Sequence, residues 1–355
     1  MSSGKSSGPS SRRLSAGEWV EVRSKEEILK TLDENGCIDG MPFMPEMLAF
    51  AGRRFRVFRR AHKTCDTVNM TGGRRVRDAV HLEETRCTGA SHGGCEAACL
   101  IFWKSQWLRR VDDSAATSPR LVDPSVEARG VTEVELMATT RASGSDEEPV
   151  FRCQATQLPA ATAPLKWWDF RQYVEDVTSG NESPVELLRG ATYAIVFGLI
   201  NATVRRRRIH GLAIRLYDWI QGLRGGVPYP RRYGRIPPGE KTPARHLDLA
   251  PGELVRVCSY EQILGTLDAN NKNRGLYFDA EEVPYCGKSF RVRCRVSRII
   301  DEQSGKMIPI KGNSVILEGA WCQGHYSDRR MYCPRAIFPI WRETWLERVE
   351  KPDNP

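Results

Sequence analysis

Residues 17–87 can be laid over residues 252–322 at a constant offset of 235 without a gap. Gly17-Glu18-x-Val20-x-Val22 recurs as Gly252-Glu253-x-Val255-x-Val257, and Ser24-x-Glu26-x-Ile28-Leu29-x-Thr31-Leu32-Asp33 as Ser259-x-Glu261-x-Ile263-Leu264-x-Thr266-Leu267-Asp268. Gly40, Phe43, Phe55, Val57, Val80, Leu82 and Glu83 also find identical partners at that offset. A unit this long that occurs only twice is not a solenoid, so the expectation is two homologous modules.

Local patterns suggest what each module contains. Glu18-Trp19-Val20-Glu21-Val22 alternates with period two, as do residues 52–58 and 79–83, which predicts short strands separated by glycine-rich turns. Ser24 with Glu27 forms a capping-box pattern that opens a helix running to Leu32, where Asn35-Gly36 closes it. Asp33 and Asp268 are expected to cap turns. The fold class expected is α+β, with two SH3-like, partly open barrels, each carrying a short helix.

The boundaries follow from shifts in composition. Residues 1–13 are rich in Ser and Gly with no apolar core, and are expected to form a disordered tail. Module 1 spans 14–111. A flexible Ser/Thr/Ala/Asp-rich linker spans 112–150, a helical connector 151–248, and module 2 249–349. Within the connector, Trp167-Trp168-Asp169-Phe170 begins a helical pattern that stops at Ser179-Gly180-Asn181. Residues 187–204 are the most apolar run in the chain. Arg189, Thr192, Asn201 and Thr203 interrupt it, so a buried helix is expected and a transmembrane segment is not. Ile209, Leu212, Leu216, Ile220 and Leu223 form a stripe expected to be a packing face.

Eleven cysteines without a secretory pattern point to a reducing, cytoplasmic setting, where clustered thiols bind metal more often than they pair. Cys65, Cys87, Cys95 and Cys99 are the candidate ligands, with His92 and Cys153 in reserve. Cys87, Cys95 and Cys99 fall within thirteen residues of a loop in which Gly89, Gly93 and Gly94 permit tight turns around an ion. Four soft ligands suit tetrahedral zinc or an iron–sulfur cluster, and the spacing does not choose between them. In the second copy Cys87 maps to Cys322 but Cys65 to Ile300. Beyond Cys322 the register shifts, pairing Cys333 with Cys99 or, if Trp341 is matched to Trp103, with Cys95. A second and weaker site would use Cys294, Cys322, His325 and Cys333, with Cys286 nearby. His81 is expected to face solvent, and Glu83 and Glu318 to cap turns or support the site.

No phosphate-binding loop, dinucleotide motif or nucleophile elbow appears. The net charge of +9 permits polyanion binding, and Arg205, Arg206, Arg207 and Arg208 are the candidate patch. Pro284-Tyr285-Cys286-Gly287, Met331-Tyr332-Cys333-Pro334-Arg335, Trp167-Trp168-Asp169 and Tyr229-Pro230-Arg231-Arg232 resemble uncharacterised bacterial proteins of this duplicated, cysteine-containing type, over nearly the whole chain. The resemblance implies a bacterial cytoplasmic setting and carries no activity; Arg329 stands where similar sequences have a cysteine. The expected role is that of a metal-binding protein, with an accessory or biosynthetic function on a small-molecule or carrier-bound substrate at the cleft between modules. The alternative is a non-catalytic binding module for nucleic acid, another polyanion or a protein partner, with a structural metal.

Overall fold

The computed structural model describes residues 13–111, 131–143, 148–327 and 329–349, with the side chains of Ser143 and Arg207 left aside. Residues 1–12 of the tail, residues 112–130 and 144–147 of the linker, residue 328 and the last six residues lie outside this description. The chain is a mixed α/β structure of small antiparallel sheets with few helices.

Two five-stranded sheets dominate. The first runs in the order Trp103–Lys104, Ala79–Leu82, Arg54–Arg60, Trp19–Val22, Leu108–Arg110; the second runs Trp341–Arg342, Ser314–Leu317, Ser289–Arg295, Leu254–Val257, Leu346–Arg348. The registers correspond. Val20 lies opposite Phe55 as Val255 lies opposite Phe290, and both long strands carry an irregularity, between Val57 and Arg59 and between Val292 and Cys294. Each sheet reaches its last strand through a short 3-10 turn, Ser105–Trp107 or Glu343–Trp345.

The repeated sequence signals act locally as expected. Ser24 and Glu27 satisfy each other's backbone at the start of helix Lys25–Leu29, and Ser259 with Gln262 does so for Tyr260–Leu264. Asp33 Oδ1 accepts from the amides of Asn35 and Cys37, and Asp268 Oδ1 from those of Asn270 and Lys272. In each core two tryptophans, Trp103 with Trp107 and Trp341 with Trp345, are fully buried. Phe43 meets Trp107 edge-on at 5.0 Å, and Phe278 meets Trp345 at 5.2 Å.

Beside each sheet a hairpin projects toward the other half. Lys63–Cys65 pairs with Gly73–Arg75, to which the connector adds Ala163–Leu165 as a third strand; Arg298–Ile300 pairs with Met307–Pro309. The two hairpins cross. The amide of Cys65 donates to Cys333 Sγ at 3.1 Å, and the amide of Ile300 donates to Cys95 Sγ at 3.4 Å. Because Cys65 and Ile300 are equivalent at the offset of 235, this exchange pairs Cys95 with Cys333, and so selects the alignment that matches Trp103 to Trp341.

Part of the expected linker is folded. Helix Glu133–Ala138, capped by Thr132, buries Leu136 in the first core, and Arg141–Ser143 pairs with Val150–Phe151. Residues 131–137 carry enough apolar side chains to anchor a turn of helix, which a composition average over the whole segment conceals.

The connector holds helices Gln154–Ala161, Arg171–Thr178, Pro184–Ala202 and Arg207–Leu223. It is fastened to the first sheet through polar groups. The Asn181 side chain exchanges two 2.8 Å hydrogen bonds with the Arg60 backbone, and Asp176 reaches Lys63 Nζ at 2.6 Å. The expectation that residues 187–204 form a buried helix is overturned: only 11% of the apolar window in Pro184–Ala202 is buried. The stripe beginning at Ile209 is also exposed rather than packed. The two helices lean on aromatic residues instead, the first through Tyr193 against Tyr326 and Phe197 against Tyr229, the second through Tyr217 against Tyr229, so their aliphatic faces are left outward.

Candidate metal centre

The loop that follows Ala79–Leu82 carries the candidate ligands. Gly89, Gly93 and Gly94 all adopt positive φ. At Gly89 the requirement is strict: a Cβ there would lie 2.1 Å from the Cys95 carbonyl oxygen, and the Gly89 carbonyl accepts from the amides of His92 and Gly94. The amide of Cys87 donates to the Cys99 carbonyl, which closes the base of the loop.

Glu46, Cys87 and His92 converge inside it. Their ligand atoms lie within 4.8 Å of one another. Cys87 Sγ stands 3.4 Å from both Glu46 Oε1 and His92 Nε2, and His92 Nδ1 lies 3.5 Å from Glu46 Oε1. Ser91 hydrogen-bonds Glu46 and also approaches His92 Nδ1 at 3.0 Å. His92 is buried; desolvation pushes its pKa down, against the pull of Glu46. Burial also raises the Cys87 thiol, and it lifts Cys99 to about 12 and Cys153 to about 11.

Cys95, Cys99 and Cys153 line the same cavity, together with Ile300 and Glu302 from the hairpin of the other half. The cavity has a volume of about 40 Å³, room for an ion and little else. Of the sequence candidates, therefore, Cys87, Cys95, Cys99, His92 and Cys153 line one cavity, but among the described residues only Cys87 and His92, the latter held in reserve, bring ligand atoms together, with Glu46 rather than with further thiols. Cys65 does not join them. Its hairpin carries it across to a second cavity of about 210 Å³, lined by Cys65, Thr67, Glu281, Cys322 and Cys333.

The second cavity differs in one respect that matters chemically. Glu281 stands where Glu46 does, but its oxygens accept from the amides of His325 and Tyr326 and from the Ser327 hydroxyl. The carboxylate is occupied by its own loop. Of the weaker set, Cys322 and Cys333 line this cavity, whereas Cys294 packs beside Val296 and Phe338, and His325 Nε2 faces Glu182 at 3.9 Å. Cys333 is drawn down to about 7, chiefly by a hydrogen bond from Cys65, whose own thiol is raised by the same contact.

Arg335 joins the two cavities. It is buried, lines the first, and donates to Thr67 of the second at 2.9 Å and to Glu302 at 2.7 Å, while Thr67 also hydrogen-bonds Glu302. Sequence reasoning missed Glu46, Glu302 and Arg335. The recurrence of Glu46 as Glu281 at the repeat offset was the available signal for the first of them.

His81 departs from expectation. It is fully buried, its Nδ1 donates to the Ile101 carbonyl at 2.8 Å, and its ring lies 4.5 Å from that of Phe102. The strand is covered on both faces, so alternation gives it no solvent side. Burial pushes its pKa down to about 3 from an unfolded value of about 6.5. The unfolded chain takes up that proton first, so the stability is present above about pH 6.5 and falls as the pH drops toward 3. Urea unfolding should show a loss of about 2–3 kcal/mol between pH 6.5 and 4.5 from this group. His81→Gln should flatten the profile by that amount, and an unchanged slope would refute the assignment.

Between the halves lies a further cleft of about 590 Å³, lined among others by Phe58, Glu83, Arg86, Arg293, Glu318 and Trp321. None of Glu46, Cys87 and His92 reaches it. No protein-family description, curated protein or solved structure matches this chain.

Proposed function

We propose that this chain is a non-catalytic binding protein whose two halves are duplicated, partly open barrels of the SH3-like type, stabilised by a structural zinc ion held by Glu46, Cys87 and His92. The convergence of those three ligand atoms within 4.8 Å carries the reading. A carboxylate, a thiol and an imidazole form a mixed set that suits zinc, whereas iron–sulfur clusters are held mainly by thiolates. Cys95, Cys99 and Cys153 line the same space and include candidates for a fourth ligand. The shared strand order of the two sheets and the 3-10 turn before each final strand support the duplication.

A structural role is favoured over a catalytic one by space. A cavity of about 40 Å³ leaves no room for an organic substrate beside the ion, and the cleft between the halves, where a small molecule would fit, does not reach the ligands. Bound zinc would displace the proton from the buried Cys87 thiol and join the loop to the turn Pro45–Phe50, so its binding energy would add to folding. A cytoplasmic location accords with eleven free thiols.

Metal analysis of protein purified under reducing, anaerobic conditions tests this reading. About one zinc ion per chain is expected, in a colourless protein that unfolds at lower temperature after chelation. Cys87→Ser and His92→Ala should each lower the zinc content. Protein without metal, or a visible band accompanied by iron and sulfide, would overturn the assignment.

A further inference from the structure

The helical hairpin formed by Pro184–Ala202 and Arg207–Leu223 presents an apolar surface that nothing among the described residues covers. In the second helix Ile209, Leu212, Leu216, Trp219, Ile220 and Leu223 are between 37 and 70% exposed. At about 100° per residue they fall within an arc of about 100°. Arg208 and Arg215 lie along one border of that arc and Arg224 along the other, all exposed, while Asp218 occupies the opposite side and bonds Arg232 and the amide of Tyr229. In the first helix Val185, Leu188, Ile195 and Leu199 are between 58 and 69% exposed.

Charge identifies the partner. Residues 184–224 contain seven arginines against two acidic residues, a net of +5. Both acids are already engaged, Glu186 by Arg189 at 2.7 Å and Asp218 by Arg232. A second copy of the hairpin would bring arginine borders together with no acid free to pair them. A nucleic acid would meet the arginines but leave the aliphatic stripe without a counterpart. Full insertion would carry Arg205, Arg206, Arg207 and Arg208, at the turn between the helices, across the bilayer core, which is strongly unfavourable. An amphipathic helix with an arginine-bordered apolar stripe and an exposed tryptophan fits the interface plane of an anionic bilayer.

We propose that this hairpin docks on an anionic lipid surface, with the Ile209 to Leu223 stripe buried among the acyl chains and Arg208, Arg215 and Arg224 against the headgroups. The proposal rests on the reading of the chain as a binding protein and adds the class of its partner.

Sedimentation of the full chain with vesicles of phosphatidylcholine, with or without phosphatidylglycerol, tests it. Binding to the anionic vesicles should exceed binding to neutral ones by about tenfold or more and weaken with salt. Leu212→Glu with Leu216→Glu should abolish binding, and Arg208→Gln, Arg215→Gln and Arg224→Gln together should remove the preference for anionic lipid. Circular dichroism establishes that each variant is folded, and zinc content is read on the same samples. Folded wild-type protein that remains in the supernatant overturns the proposal. So does self-association that the leucine substitutions abolish, or binding to an RNA homopolymer that depends on the arginines but not on the leucines. Zinc-loaded protein that ignores vesicles removes the membrane and spares the metal, whereas metal-free protein that binds vesicles does the reverse.

Discussion

Asp176→Ala is expected to destabilise the protein by about 3–5 kcal/mol, the usual consequence of removing one partner from a buried ion pair. Asp176 is fully buried on helix Arg171–Thr178; one oxygen lies 2.6 Å from Lys63 Nζ and the other 3.1 Å from His62 Nε2. Lys63 and His62 are themselves buried, and Tyr173 and Tyr332 surround the ammonium with aromatic faces at 5.0 and 5.7 Å. Burial already pushes the Lys63 pKa down, with Asp176 opposing it. Without the carboxylate the lysine must either stay charged in an apolar site or give up its proton, and both routes cost folding energy. The measurement is urea unfolding at neutral pH. Lys63→Met combined with Asp176→Leu should recover most of the loss, because the pair is then replaced by apolar volume rather than broken. A loss below about 1 kcal/mol for Asp176→Ala would show that the pair contributes no more than a surface contact.

Arg335→Met should have a comparable effect for a related reason. Burial disfavours the guanidinium charge, but the Glu302 carboxylate beside it opposes that, and the group stays protonated. Removing it strands Glu302, whose carboxylate depends on Arg335 and Thr67 for its low pKa against burial. A loss of about 3–5 kcal/mol is expected. Glu302→Gln in the same chain should restore a large part of it, giving a coupling of about 2 kcal/mol in a double-mutant cycle. Additive effects of the two substitutions would mean that Arg335 and Glu302 do not act as a pair.

How much of this was legible beforehand depended on whether the signal was local. Capping boxes, the aspartate turns and the alternating strands are decided by neighbours in sequence, and these were read from the residues alone. Composition also located the thiol loop. What could not be read was where each hairpin would go. Cys65 stands two strands away from Cys87 in sequence and nothing local distinguishes a hairpin that folds back from one that crosses over, so its assignment to the first thiol cluster failed. His81 was misplaced because alternation implies one wet face, and this strand has none. The apolar helix at residues 184–202 was misjudged for a subtler reason: hydropathy measures the preference of a segment for leaving water, and does not say whether the protein itself provides the cover. Glu46 carried a usable mark, its recurrence as Glu281, but a carboxylate inside a Pro-started turn carries no ligand spacing that a thiol search would detect.

The crossed hairpins have a bearing on how the chain can be divided. Since Ile300 and Glu302 wall the cavity that holds Cys87, and Cys65 and Thr67 wall the one that holds Cys333, a fragment ending near residue 150 would lack a side of its own pocket, and so would the remainder. The domain boundaries drawn along the sequence are therefore not boundaries of autonomy. Each half supplies a wall to the cavity of the other, and the two are expected to regain their native pockets only when supplied together, as complementing fragments or as one polypeptide.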